Sequence, residues 1–190
     1  QLRTLDEAAT NRYFALIDSV ADTIDKCHDA KQKAALLLIR AVAYSDTQNN
    51  EAAIDDLTAV VQLDSTQTLA YWQRAVCQAR LNAFNASQGT DISMKTANVL
   101  SDLSEAIENN PSAILYYNRG NVYVQRKDYL HAIEDYSKAI EMDSHLAEAY
   151  YNRGIARLAL KQQAQAVADL SKAGELGLYA AYSIIKQNRK

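Results

Sequence analysis

Tyr116-Tyr117-Asn118-Arg119-Gly120 and Tyr150-Tyr151-Asn152-Arg153-Gly154 are the same five residues, 34 positions apart. A fixed period of that size marks a helical repeat array, in which one unit cannot bury its apolar face alone and must stack on its neighbours. Working outward, repeats that start at Ala34, Thr68, Ala113 and Ala147 bring like residues into like places. The fourth place holds Leu37, Tyr71, Tyr116 and Tyr150, a large side chain opening the first helix of each pair. The eighth holds Ala41, Ala75, Gly120 and Gly154, small enough for two helices to approach closely. On the second helix small residues recur at Ala53, Ala132 and Ala166 and again at Ala106, Ala139 and Ala173, with Val60 and Val99 as exceptions. Leu57, Leu103, Tyr136 and Leu170 stand between them, and Pro111 falls where a second helix should stop.

This pattern resembles the tetratricopeptide repeat (TPR) family, a helix–turn–helix unit with large, small and aromatic residues at these places. The resemblance runs from Ala34 to about Ala180. It implies an all-α fold, a right-handed solenoid of antiparallel helix pairs. The expected organisation is a leading helix over 1–33 (a cap, or the remnant of an upstream repeat), then repeats over 34–67, 68–112, 113–146 and 147–178. A terminal capping helix over 179–190 follows, with Tyr179, Tyr182 and Ile185 turned inward. The tail Ala173-Gly174-Glu175-Leu176-Gly177-Leu178-Tyr179 is similar to the ends of arrays in Bacteroidetes TPR proteins, which implies a bacterial source. The second repeat has 45 residues, with an insertion near 82–95. Phe84 continuing the apolar face, Gln88-Gly89-Thr90 as a turn and Asp91 or Ser93 as a cap predict a lengthened hairpin, the extra residues shared evenly by its two helices. At the start, Thr4-Leu5-Asp6-Glu7 reads as a capping box before the stripe Tyr13, Ile17, Val20, Ile24 and Cys27.

Composition agrees with helix throughout: 48% hydrophobic residues, one proline and five glycines in 190. A net charge of −3 without clustering argues against a nucleic-acid groove, and no apolar run approaches the roughly 20 residues of a bilayer span. Gln1 in place of Met fits a processed chain or a piece of a longer one. Cys27 and Cys77 lack metal spacing, and His28, His131 and His145 do not combine with carboxylates or thiols as ligands. No phosphate loop, nucleophile elbow or zincin motif occurs, so neither cofactor nor catalytic set is expected.

The seventh place is Arg40, Arg74, Arg119 and Arg153, and the twenty-third Asp56, Asp102, Asp135 and Asp169. These places should face each other within a repeat, so the expectation is an ion pair bridging the two helices, the planar guanidinium gripping the carboxylate with two hydrogen bonds. The alternative is a ladder of arginines that binds an acidic ligand.

By resemblance, the first helices line a concave groove, where Leu38, Val42, Trp72, Val76, Tyr117, Asn121, Tyr151, Asn152 and Ile155 would sit. Trp72, Tyr117 and Tyr151 share one place, and aromatic rings dominate binding hot spots. Asn121 and Asn152 match the asparagines of the carboxylate clamp that some TPR domains use, but Tyr117 replaces its lysine. The implied function is a non-enzymatic scaffold that binds a peptide segment of another protein. The alternative is a structural or self-assembling part of a longer solenoid.

Overall fold

The computed structural model describes residues 6–88 and 95–188. Among them it is all-α, with ten helices and no strand: α1 (Glu7–Lys26), α2 (Ala30–Asp46), α3 (Asn50–Leu63), α4 (Thr68–Ser87), α5 (Lys95–Asn109), α6 (Ala113–Gln125), α7 (Tyr129–Met142), α8 (Ala147–Ala159), α9 (Gln163–Glu175) and α10 (Ala180–Gln187). Each helix packs on the next within two compact units, Gln1–Asn109 and Asn110–Lys190. In unit 1, Leu37, Ala41, Ala53, Leu57 and Val60 close a core that also takes Ile24 of α1 and Ala70 and Cys77 of α4. In unit 2, Leu170 and Ala173 of α9 pack with Ala181 of α10.

Small residues set how closely the paired helices approach. A Cβ built on Gly120 would lie 2.7 Å from Cε1 of Tyr136, and one on Gly154 would lie 2.8 Å from Cγ of Leu170. Tyr136 and Leu170 are buried, so neither neighbour can swing away.

In the first, third and fourth repeats the turn inside the pair is made without glycine. Gln48, Lys127 and Lys161, all at the fifteenth place, adopt left-handed backbone with φ of 64°, 59° and 60°. The turn is locked by bonds reaching back five residues: Asn49 N donates to the Tyr44 carbonyl, Asp128 N to Tyr123 and Gln162 N to Arg157, at 2.8–2.9 Å. This is the Schellman way of satisfying orphan carbonyls at a helix C-terminus. In the second repeat the fifteenth place is Asn82. There the helix does not turn; α4 runs on to Ser87, and Asn82 is buried with its carbonyl oxygen taking a bond from Gln78. No glycine or proline interrupts residues 81–87, so nothing in the backbone stops it.

Two expectations change here, for Phe84 and for the cap of α1. The first helix of the second repeat is lengthened, α4 having 20 residues against 13 for α6 and α8, while residues 89–94, where a lengthening of the second helix would lie, are outside the described residues. Phe84 does not continue the inward face; it is 63% exposed and borders an open hollow with Gln48, Asn49 and Glu51 at the turn between α2 and α3. The expected turn at Gln88-Gly89-Thr90 and the caps at Asp91 and Ser93 fall largely outside the described residues. At the start of α1 the cap is Asp6, whose Oδ1 accepts from Ala9 N at 2.7 Å; Thr4 lies outside the described residues.

The last helix also differs. Tyr179 is 74% exposed; Ala181 is the fully buried residue, flanked by partly buried Leu178, Ile184 and Ile185. Gly174 acquires a reason, since a Cβ there would run into the Tyr182 ring. The bare backbone of α9 is where that half-exposed ring rests.

Candidate functional site

The recurring charges come together inside each repeat. Arg40 donates through Nε and Nη2 to both oxygens of Asp56 at 2.8 and 2.7 Å. Arg74 does the same to Asp102 (2.9 and 2.7 Å), Arg119 to Asp135 (2.8 and 2.8 Å) and Arg153 to Asp169 (2.9 and 2.7 Å). The partners lie 16 residues apart in three repeats and 28 in the second, so the insertion falls wholly between two residues that still meet. The aspartates are buried and the guanidinium groups mostly so. Hydrogen bonding to the aspartates raises Arg40, Arg74 and Arg119 above the ordinary arginine range.

Two further contacts of these arginines were not anticipated from the register. Each guanidinium lies over a tyrosine ring, 5.6–5.9 Å from its centroid: Tyr71 under Arg74, Tyr116 under Arg119 and Tyr150 under Arg153. In the first repeat the fourth place is leucine, and Tyr44, one turn beyond Arg40, supplies the ring instead. In addition, Nη1 of Arg74 donates to Thr58 Oγ1 at 3.2 Å and Nη1 of Arg153 to Ser137 Oγ at 2.9 Å. Thr58 and Ser137 belong to the preceding helix, so one arginine ties its own pair together and joins it to the unit before. Asp169 takes a second arginine as well, Arg157 Nη1 at 2.7 Å. Each arginine therefore faces its own aspartate rather than an acidic ligand. The sequence signal was present, since tyrosine stands three residues before three of the arginines.

The residues expected to line a groove are all half-buried, and each unit has its own set. In unit 1, Leu38 and Val42 join Tyr13, Leu16, Ile39 and Leu69 around an apolar hollow of about 320 Å³ between α1, α2 and α4. Trp72 keeps its indole nitrogen buried without a hydrogen-bond partner among the described residues, and Val76 lies one turn along the same helix.

In unit 2 the set is polar. Tyr136 of α7 reaches past Gly120 and donates its hydroxyl to Asn121 Oδ1 at 2.8 Å. Asn152 of α8 donates to the same oxygen at 2.8 Å and to the Tyr117 hydroxyl at 3.3 Å. The Tyr117 and Tyr136 rings are tilted neighbours at 6.0 Å. Burial raises the Tyr136 phenol above its ordinary range, keeping it a donor to Asn121. Tyr151 and Ile155 lean on the Leu170–Ala173–Ala181 cluster. The two asparagines thus bind one another, and Asn152 Nδ2, a donor that a carboxylate would need, is already engaged.

With this geometry in place, comparison with known proteins assigns the repeat. The TPR repeat family model matches residues 120–161. That stretch carries a tetratricopeptide repeat. The chain is 30% identical over 111 residues to tetratricopeptide repeat protein 13 of Homo sapiens, a stretch covering 56% of this chain and 12% of that protein. The chain thus spans about an eighth of that relative's length. Among solved structures it superimposes on MamA with a TM-score of 0.74 at 24% identity, covering 87% of this chain and 89% of that one. It superimposes on YrrB, described as a TPR protein with an unusual peptide-binding site, with a TM-score of 0.68 at 16% identity, covering 92% and 87%. These structural likenesses are of fold: an α-solenoid of the TPR kind. Among the described residues no three His, Cys, Asp or Glu gather as a metal site, and no helix is long and apolar enough to cross a membrane.

Proposed function

We propose that this chain is a non-enzymatic interaction module that binds a peptide segment of a partner protein. The binding surface is the set Tyr117, Asn121, Tyr151, Asn152 and Ile155 of unit 2, with Leu38, Val42, Trp72 and Val76 as the corresponding surface of unit 1. The observation that carries this reading is the chain of bonds Tyr136–Asn121–Asn152–Tyr117. It fixes half-open aromatic and amide side chains before any ligand arrives, and groups held in place in advance lose little conformational entropy on binding. A half-exposed ring beside an amide suits an extended peptide, whose main chain needs hydrogen bonds and whose side chains need apolar contact. The engaged asparagine pair and Tyr117 in the lysine place favour an internal segment over a C-terminal carboxylate.

The test uses a peptide selected on the wild-type chain from a random-sequence display library. Replacing Tyr117 and Tyr151 together by alanine should weaken it by more than about 2 kcal/mol, the hot-spot scale, with helical circular dichroism retained. Unchanged affinity in the folded double variant would refute the assignment. Tyr117→Phe, which removes only the hydroxyl that Asn152 reaches, separates loss of the polar floor from loss of the ring.

A further inference from the structure

We infer, resting on the reading of unit 2 as a peptide site, that the bound segment carries a basic side chain, lysine or arginine, which Glu148 receives at one end of the Tyr117–Tyr151 surface. Glu148, Tyr151, Asn152 and Ile155 stand at i, i+3, i+4 and i+7 on α8 and so share one face of it. Ile114, Tyr117 and Asn121 share a face of α6 in the same way. The bonds from Asn152 to Asn121 and to the Tyr117 hydroxyl join the two faces. Glu148 is exposed, Ile114 is 48% exposed, and both tyrosines are half-buried.

Charge selects what this surface takes. α6 and α8 carry four charged side chains. Arg119, Arg153 and Arg157 are tied to the buried aspartates of their own repeats. Glu148 is the fourth, and it enters no ion pair among the described residues. A carboxylate in the first turn suits a helix N-terminus, yet α2, α4 and α6 have no acid there. The second place of those repeats is Ala35, Leu69 and Ile114, so the repeat does not ask for an acid at this place.

Asp143, in the turn leading into α8, adds another exposed carboxylate at the same end. Lys138 and Lys172 pair with Glu141 and Glu175. The cations of α6–α9 and their turns that stay outside ion pairs among the described residues, Arg126, Lys127 and Lys161, lie at the other end, where α6 and α8 finish. Lys161 is roughly 20 Å from Glu148 along α8, at about 1.5 Å per residue. Charges reach only about 8 Å at physiological ionic strength. A cation arriving beside Glu148 therefore meets a carboxylate and half-open tyrosine rings, with no unpaired positive charge near enough to oppose it. An apolar neighbour in the same segment covers Ile114.

The test pans one random-sequence peptide library on the full chain and on Glu148→Gln in parallel. Wild-type peptides whose binding falls in the Tyr117→Ala, Tyr151→Ala double variant should share a lysine or arginine at one position. Peptides selected on Glu148→Gln should lack it, and Glu148→Lys should enrich aspartate or glutamate there instead. For one wild-type peptide, Glu148→Gln should weaken binding about two- to fivefold, the range of an exposed ion pair. Exchanging the peptide's basic residue for glutamine should cost about tenfold, since its contact with the rings goes too. Made together, the two changes should cost less than their product. Position 148 is exposed, so folding should persist, with helical circular dichroism as the check. Peptides that depend on the two tyrosines but share no basic residue overturn the inference and leave the peptide site standing. Losses that simply multiply do the same. Peptides that bind independently of the tyrosines, or a library that yields none, overturn both.

Discussion

Truncating Arg40 to alanine strands Asp56, which is 7% exposed and receives two hydrogen bonds from that guanidinium at 2.7 and 2.8 Å. Breaking a buried pair from one side costs about 3–5 kcal/mol, because an uncompensated charge remains. Arg40 is itself 20% exposed along its side chain, and water can reach the vacated space, so the lower end, about 3 kcal/mol, is expected. Asp56→Ala should cost about 2–3 kcal/mol, less because the surviving guanidinium still lies over Tyr44 and reaches solvent more easily. If the pair acts as a unit, the double variant should cost about 4 kcal/mol and not the sum, leaving a coupling of roughly 1–2 kcal/mol. Arg153 is the internal control. Its aspartate keeps a second arginine, Arg157 at 2.7 Å, so Arg153→Ala should cost about 1–2 kcal/mol, the scale of lost hydrogen bonds to a charge that remains compensated. Urea unfolding followed by far-ultraviolet circular dichroism measures all four variants. Additivity of the Arg40 and Asp56 losses to within about 0.5 kcal/mol, or an Arg153 loss equal to that of Arg40, would refute the reasoning.

The two helical glycines against aromatic rings should behave oppositely. Gly120→Ala drives a methyl into the buried Tyr136 ring at 2.7 Å and should cost about 1–3 kcal/mol. Gly174→Ala meets only the half-exposed Tyr182 ring, which can swing aside, so the gain in helix propensity of up to about 1 kcal/mol should leave stability level or higher by thermal melting. Lys161→Gly should raise stability by several tenths of a kcal/mol, since φ of 60° there costs an L-residue more than glycine. A chemical denaturation midpoint that falls instead would show that the lysine side chain stabilises the turn. Cys77 is fully buried and burial pushes its thiol up, whereas Cys27 is half-buried. A disulfide reagent should therefore titrate one thiol in the native chain and two after unfolding. Two fast-reacting native thiols would contradict the packing around α4.

Much of this molecule was readable from a single periodicity. A repeat that stacks on copies of itself imposes the same neighbours on each copy, so register alone brings Arg119 opposite Asp135 and requires Gly120 to be small. That holds even in the second repeat, where the insertion lengthens the spacing between Arg74 and Asp102 without moving either out of place. The period could not reveal contacts made between unlike places. Tyr44 takes over beneath Arg40 because a ring one turn after the arginine reaches the same guanidinium face as one three residues before it. Thr58 and Ser137 receive arginines of the following pair, a contact that exists only once the pairs are stacked. The bonds linking Tyr136, Asn121, Asn152 and Tyr117 join three helices, and no spacing along the chain announces them. The ends of each element escape the pattern for the same reason. α4 continues past the turn place because nothing breaks its backbone, and Tyr179 stays in water because Ala181 and its neighbours already fill the space against α9. The sequence by itself determined the helix pairs and the residues that must recur, because those follow from local geometry repeated. Only the tertiary structure decided which side chains remain open for a partner, because exposure depends on which neighbouring surfaces are already occupied.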